Sequence, residues 1–363
     1  MRLSISTPED RPISPFQTQA LMILFILGTA ILNIPASTAA LARQDAWISV
    51  LLASVVGWIA PLMVFLLCRE HPGRSLVDVC LSVMGPVAGT LLGAGYVFFA
   101  LHLGILTTND VGMFMTSMLA PETPMWPFHL LILLVAVYAY RLGPDVLGRF
   151  SQLLLIVVLV VFVLTLLLLI GKLHPEFLLP ILAGGWRQLV LGAYPVIGFP
   201  FLETVIVIGW VLPLVKEIDG ILRKMSVAYF LGAGSLSLVI LFTLMVFGAN
   251  WTAYLTFPLN ALAQEAGVTD VIERIEALTL IAWIACVAVK LIVCFTFALD
   301  GIRSLLRVPS TRLLSIPVAV AMVIFAETVV PSEVELTEKL NIYWTPYVSV
   351  FSVFVPLLLL AVS

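Results

Sequence analysis

The sequence predicts an all-α polytopic membrane protein of about ten transmembrane helices, and three observations carry that prediction. Of its 363 residues, 61% are apolar and 11% are charged, against roughly 45–50% and about 25% in soluble domains. The mean hydropathy is +1.14. Charge-poor runs of membrane-spanning length recur along the whole chain with short connectors between them, leaving no soluble domain to carry a separate activity. A water-soluble globular protein and a disordered chain are excluded. The 18 Lys and Arg nearly balance the 21 Asp and Glu, so there is no basic field for nucleic acid.

A helix crosses the hydrocarbon core with about 20 mostly apolar residues. On that scale the spans fall at 15–42, 46–68, 87–119, 124–140, 151–171, 187–214, 225–249, 274–300, 312–331 and 341–363. One transmembrane domain, 1–363, is expected, with a first five-helix repeat at about 13–171, a second at about 185–331 and a tenth helix at about 341–363. The opening stretch does not read as a cleavable signal, because Glu9 and Asp10 stand beside Arg2 and Arg11 and the following apolar run is too long.

Orientation follows from Lys and Arg, which gather on the cytoplasmic side. Arg2, Arg11, Arg69, Arg74, Arg141, Arg149, Lys216, Arg223, Lys224, Arg303, Arg307 and Arg312 fall on one set of connectors. Arg43, Lys172, Arg187 and Lys339 fall on the other. Twelve against four predicts both termini on the cytoplasmic side.

Spans one and six carry the most informative irregularity. The first contains Gly28-Thr29-Ala30-Ile31-Leu32-Asn33-Ile34-Pro35, and the sixth contains Pro195, Gly198-Phe199-Pro200-Phe201-Leu202-Glu203. Proline within a helix removes a backbone hydrogen bond and clashes with the preceding turn. One such site reads as a simple kink. Two at equivalent positions of a five-plus-five chain read as the broken helices of a transporter-type site, with the repeats inverted because helices one and six run in opposite directions. A broken helix exposes free carbonyls on one half and free N–H groups on the other, so the pair of breaks offers partial charges of both signs. A zwitterionic amino acid matches such a cradle. The residues expected to form it are Gly28, Thr29, Ala30, Asn33, Gly198, Phe199, Pro200 and Glu203, with Tyr96 of helix three and Thr279 of helix eight.

Ionisable groups inside a span are costly enough to point to function. Two readings stand for Glu203: a cap for the half-helix behind it, or an interior carboxylate that pairs with a cation or exchanges a proton. Glu276, Thr279, Trp283, Cys286 and Lys290 recur at three- and four-residue spacing, so they share one face of helix eight. Lys290 either snorkels to the interface or sets its ammonium beside the helix-one break, where a coupling ion would otherwise sit. His102 and the run Thr107-Thr108-Asn109-Asp110 add polarity to helix three, and Glu327 in helix nine has no assigned part.

Enzymatic chemistry finds no support. His71, His102, His129 and His174 show no metal-binding spacing, and no nucleophile elbow or phosphate-binding glycine loop appears. Cys68, Cys80, Cys286 and Cys294 stand far apart and read as small buried hydrophobes. No cofactor or metal is expected.

Over nearly its whole length the chain resembles the spore germination permeases, the B subunits of nutrient germinant receptors within the amino acid–polyamine–organocation superfamily. The resemblance rests on Ile13-Ser14-Pro15-Phe16-Gln17, Gly28-Thr29-Ala30-Ile31-Leu32 with Pro35, and Arg141-Leu142-Gly143-Pro144-Asp145-Val146-Leu147-Gly148-Arg149. It continues through Phe199-Pro200-Phe201-Leu202-Glu203 and, most specifically, Glu273-Arg274-Ile275-Glu276-Ala277-Leu278 followed by Val289-Lys290. It implies a LeuT-like five-plus-five inverted repeat in the inner membrane of a spore. It also implies partnership with an A subunit and a lipoprotein C subunit, and a nutrient ligand such as alanine. The expected function is a nutrient-sensing receptor subunit that binds a small amino acid at the paired breaks. The competing expectations are a secondary amino acid transporter coupled to protons through Glu203 or Lys290, and a ligand-gated channel for water or small ions.

Overall fold

The computed structural model describes residues 13–215, 220–267, 275–328 and 340–363. Arg2, Arg11, Lys216, Glu273, Arg274 and Lys339 of the reading above lie outside the described residues. Among the described residues the secondary structure is helical, apart from one parallel backbone bridge between Ile13 and Val215.

Among the described residues seven segments are long and apolar enough to cross a membrane: Ala30–Glu70, Leu76–Leu119, Pro144–Lys172, Gly185–Leu214, Ile221–Thr252, Ile275–Leu306 and Ile342–Val362. Pro15–Leu27, Trp126–Leu142 and Ser315–Thr328 are shorter apolar helices. Among the described residues helix occupies most of the expected spans, and the expected interruptions in spans one and six are real departures from it.

Helix one is two pieces, α1 (Pro15–Leu27) and α2 (Ala30–Ala42). Its start is written in the sequence: Pro15 opens the first turn, Ser14 Oγ accepts the Gln17 N–H, and Gln17 Oε1 accepts the Ser14 N–H at 2.8 Å. This reciprocal pair satisfies two of the donors that a helix start leaves orphaned. The next connected pair is α3 (Ala46–Gly57) and α4 (Ile59–Glu70).

Helix three, α5 (Leu76–Phe114), begins 11 residues before the expected span at 87–119. Gly85 breaks it with φ 75° and ψ −174° just ahead of Pro86, a backbone conformation that glycine adopts without steric cost. The piece before Gly85 has its own start signal in Ser75 and Asp78, which cap each other. Two helices, α6 (Trp126–Leu142) and α7 (Pro144–Leu169), complete the first half.

The second half begins at helix six. Helix six consists of α8 (Gly185–Val196), a wide turn at Ile197–Phe201, a tight turn at Leu202–Thr204 and α9 (Val205–Val211). It is followed by α10 (Ile221–Thr252), a short connector helix α11 (Pro258–Ala266), α12 (Ile275–Leu306) and α13 (Ser315–Thr328). The C-terminal segment contains α14 (Thr345–Ser349) and α15 (Val355–Val362). Among the described residues α5 and α12 form the most extensive helix pair, while α1 packs between α10, α7 and α12. The broken helices therefore run through the centre, and α9 is buried along its whole length.

Candidate functional site

The break in helix one is confined to Gly28 and Thr29. The N–H of Gly28 still donates to Leu24 at 2.9 Å, but its φ of −33° and ψ of −97° end α1, and α2 begins at Ala30 with no side chain capping its first turn. In helix six, Phe199 leaves helical space with φ −124° and ψ 110°. Hydroxyls take the carbonyls around this break. Thr345 donates to Tyr194 O at 2.8 Å, Thr204 to Phe201 O at 2.6 Å and Ser352 to Leu202 O at 2.8 Å. Two of these three donors lie on the C-terminal segment, which thus satisfies backbone that lipid would leave unpaired.

An ion pair joins the two breaks. The Lys290 ammonium on α12 donates to Glu203 Oε2 at 2.7 Å and to Thr29 Oγ1 at 2.9 Å. Both charged side chains are 0% exposed. The ammonium also stands 5.2 Å from the Phe25 ring centroid and 4.7 Å from that of Phe199, where the negative ring faces attract it. The other carboxylate oxygen of Glu203 accepts the indole N–H of Trp344 at 2.8 Å. Lys290 therefore points into the bundle, and the side-chain bonds of Glu203 run to Lys290 and Trp344. A buried pair needs such full satisfaction, because desolvating two charges costs several kcal/mol per ion.

Beside this pair lies a narrow crevice. Thr29, Phe199, Glu203 and Trp344 line one side, and Leu103, Leu106, Thr107 and Asp110 line the other from a single face of α5. Its open space holds about one water molecule.

The expected site residues divide into two groups. Gly28, Thr29, Ala30, Gly198, Phe199, Pro200 and Glu203 all lie at the breaks and are buried or glycine backbone in close contact. Asn33 lies one turn further along α2 and is half-buried. Tyr96 and Thr279 stand elsewhere. Tyr96 donates its hydroxyl to Phe351 O at 2.7 Å, and so holds the C-terminal segment against α5. Thr279 donates to Ile275 O at 3.0 Å and meets Thr165 at 3.2 Å. It lines a separate apolar cleft with Leu27, Ile31 and Trp283, about 16 Å along α12 from Lys290. Asp110, Thr107, Phe25 and Trp344 belong with the breaks and were not among the expected residues. Asp110 had a usable signal, a carboxylate inside an apolar span. Trp344 had none, because nothing in its neighbourhood sets it apart from an interfacial aromatic.

The comparison with protein families decides what this arrangement belongs to: the family described as Spore germination protein matches residues 12–333. The chain belongs to the spore germination protein family. A relative in that family, spore germination protein KB of Bacillus subtilis (strain 168), is 23% identical over 338 residues, covering 92% of this chain and 90% of the relative. The fold of the chain is that of LeuT-type transporters. A Na+-coupled sialic acid symporter superposes with a TM-score of 0.64 at 11% identity, over 94% of this chain and 78% of the symporter. A nucleobase-cation-symport-1 family transporter gives 0.63 at 13% identity, over 97% and 78% of the two chains. This member of the germination family is accordingly a permease-like, multi-pass membrane protein with the LeuT-type helix arrangement.

Proposed function

We propose that the chain is the nutrient-sensing membrane subunit of a spore germinant receptor, and that it binds a small amino acid such as alanine at the paired helix breaks. The observation that carries this reading is the convergence of both breaks on one crevice, held by the Lys290–Glu203–Thr29 contacts. The first turn of α2 offers uncapped N–H groups for a carboxylate. Hydroxyls and acidic side chains line the same space, so the ammonium of an amino acid also has partners.

The crevice has room for about one water molecule, so an amino acid enters only as the flanking elements move apart. A ligand that binds the opened arrangement more tightly shifts the population toward it. In the proposed receptor, an A subunit and a lipoprotein C subunit read that shift. On this reading the chain makes ten crossings as two inverted repeats, about 13–171 and 185–331, followed by the segment about 341–363. It lies in the inner spore membrane with both termini on the cytoplasmic, core side, and it catalyses no covalent chemistry.

A second reading has its own support: a buried Lys–Glu pair joining two broken helices in a transporter fold suits coupled transport. In that case Lys290 stands in for a coupling ion, and protonation of Glu203 releases it. Reconstitution separates the two. Liposomes bearing the protein bind a labelled amino acid without accumulating it if the chain senses, and concentrate it along a pH gradient if the chain transports. Spores carrying Glu203→Gln lose their dose response under the receptor reading. An unchanged response, with the variant present in the membrane, overturns it.

A further inference from the structure

A second space adjoins the helix-one break and shares no lining residue with the Lys290–Glu203 crevice. Leu27, the last residue of α1, and Ile31, in the first turn of α2, both line it. Phe162 of α7, Leu259 of α11 and Trp283 of α12 supply further walls. It has room for about three water molecules. The surface it exposes is apolar, and no charged side chain among the described residues lines it. Thr279 in its wall already donates its hydroxyl to Ile275 O at 3.0 Å. Lys290, one turn beyond Cys286 of the same wall, is committed to Glu203 and Thr29. A space of this kind stays dry and accepts apolar guests.

One polar atom of this wall is unaccounted for. Trp283 is 2% exposed, its ring centroid stands 4.6 Å from that of Phe114, and its indole N–H has no hydrogen-bond partner among the described residues. The similarly buried Trp210 and Trp344 both donate to carboxylates. A buried donor without an acceptor bears the cost of its lost hydration, and such groups are rare enough to need a reason.

We propose that this cleft is a second ligand site, for small neutral molecules that combine an apolar body with one hydrogen-bond acceptor. Ligand sites of this composition, apolar walls with a single placed polar group, are the common kind. The body fills the space against Leu27, Ile31 and Phe162. The acceptor takes the Trp283 N–H, which a tilt of the ring brings to the cleft. A zwitterionic amino acid is excluded, because neither of its charges finds a partner on these walls. A whole lipid chain is excluded by size. The inference stands apart from the reading of the paired breaks as a nutrient site, since it needs only the cleft and the orphan donor. An occupant touches both halves of helix one at once, and so bears on the break itself.

The test is thermal unfolding of the purified full-length protein with cyclopentanone and with methylenecyclopentane, which has the same shape and no acceptor oxygen, at measured free concentrations. A ligand that binds the folded form raises the melting temperature with the logarithm of its concentration over Kd. Both probes are expected to stabilise the wild type. Trp283→Phe keeps a ring and removes the donor, so it is expected to weaken the ketone about tenfold, as loss of a hydrogen bond to a buried donor does, and to leave the hydrocarbon bound. Ala282→Leu fills the cleft with a side chain of the protein itself and is expected to abolish binding of both. Slowed hydrogen exchange at the amides of residues 27–31, seen with the ketone in wild type and not in Ala282→Leu, places the bound probe. No stabilisation of wild type, equal effects of Trp283→Phe on the two probes, undiminished binding to Ala282→Leu, or slowed exchange confined to other segments each overturns the proposal. If Ala282→Leu fails to accumulate, Ala282→Val decides by the same criterion: weakened binding of both probes supports the site and unchanged binding overturns it.

Discussion

Trp344 donates its indole N–H to Glu203 Oε1 at 2.8 Å, and so ties the C-terminal segment to the broken helix that carries the buried carboxylate. The bond completes a chain of contacts running from Thr29 through Lys290 and Glu203 to Trp344. The two broken helices, α12 and the C-terminal segment therefore share one polar centre.

Trp344→Phe keeps a ring in place and removes the donor. A hydrogen bond to a charged group contributes about 1.5–3 kcal/mol, and the expected loss of stability lies in that range. Thermal unfolding of purified protein checks it, and an unchanged melting temperature would show that Glu203 does not depend on this bond.

Removing one member of the ion pair is expected to cost more. Lys290→Met leaves Glu203 buried without its cation, a class of change that costs about 3–5 kcal/mol. Lys290→Met combined with Glu203→Gln removes both charges and keeps an acceptor for Trp344, so the double variant is expected to recover most of the loss. Membrane accumulation and unfolding temperature of the three variants provide the measurement, and an equally unstable double variant would contradict the pairing.

The two break glycines are expected to differ in their tolerance of a methyl group. A Cβ on Gly198 would lie 2.5 Å from Thr345 Oγ1 and 2.7 Å from Thr345 Cα, so the wide turn must separate from α14. A Cβ on Gly28 would lie 3.2 Å from Lys290 Cβ and Cδ and 3.3 Å from Phe25 O, a milder crowding that shifts of a few tenths of an ångström relieve. Gly198→Ala is expected to lose about 1–3 kcal/mol, the usual cost of overpacking, and Gly28→Ala measurably less. Parallel melting curves rank them.

A third close approach lies away from the site. A Cβ on Gly112 would collide with His129 Nε2. The ring is 0% exposed, with its other nitrogen 2.8 Å from Glu327 Oε1. It cannot move away without leaving that carboxylate. Gly112→Ala is expected to destabilise the junction of α5, α6 and α13, and Gly112→Ala with His129→Ala to be the more stable of the two proteins.

Much of this architecture is legible in the residues because lipid imposes coarse rules. Apolar length locates the helices, and Gly28, Gly198 and Pro200 mark the breaks. What the sequence conceals depends on distance in three dimensions. Lys290 reads equally well as a snorkelling side chain until Glu203 is found 87 positions away in the chain and 2.7 Å away in space. Tyr96 resembles a cavity aromatic, yet its hydroxyl finds the carbonyl of Phe351 instead. The early start of α5 was missed because a nine-residue helix before Gly85 is too short to register on a membrane-length scale, although Ser75 and Asp78 announce it. The connector helix α11 escaped for the same reason.

The N–H of Ile13 donates to Leu214 O at 3.0 Å, and Ile13 bridges Val215 beside it. The entrance to the first broken helix is thereby stitched to the exit of the second. Neither strut can tilt at that end without dragging the other, so the two helix ends are tethered as one unit.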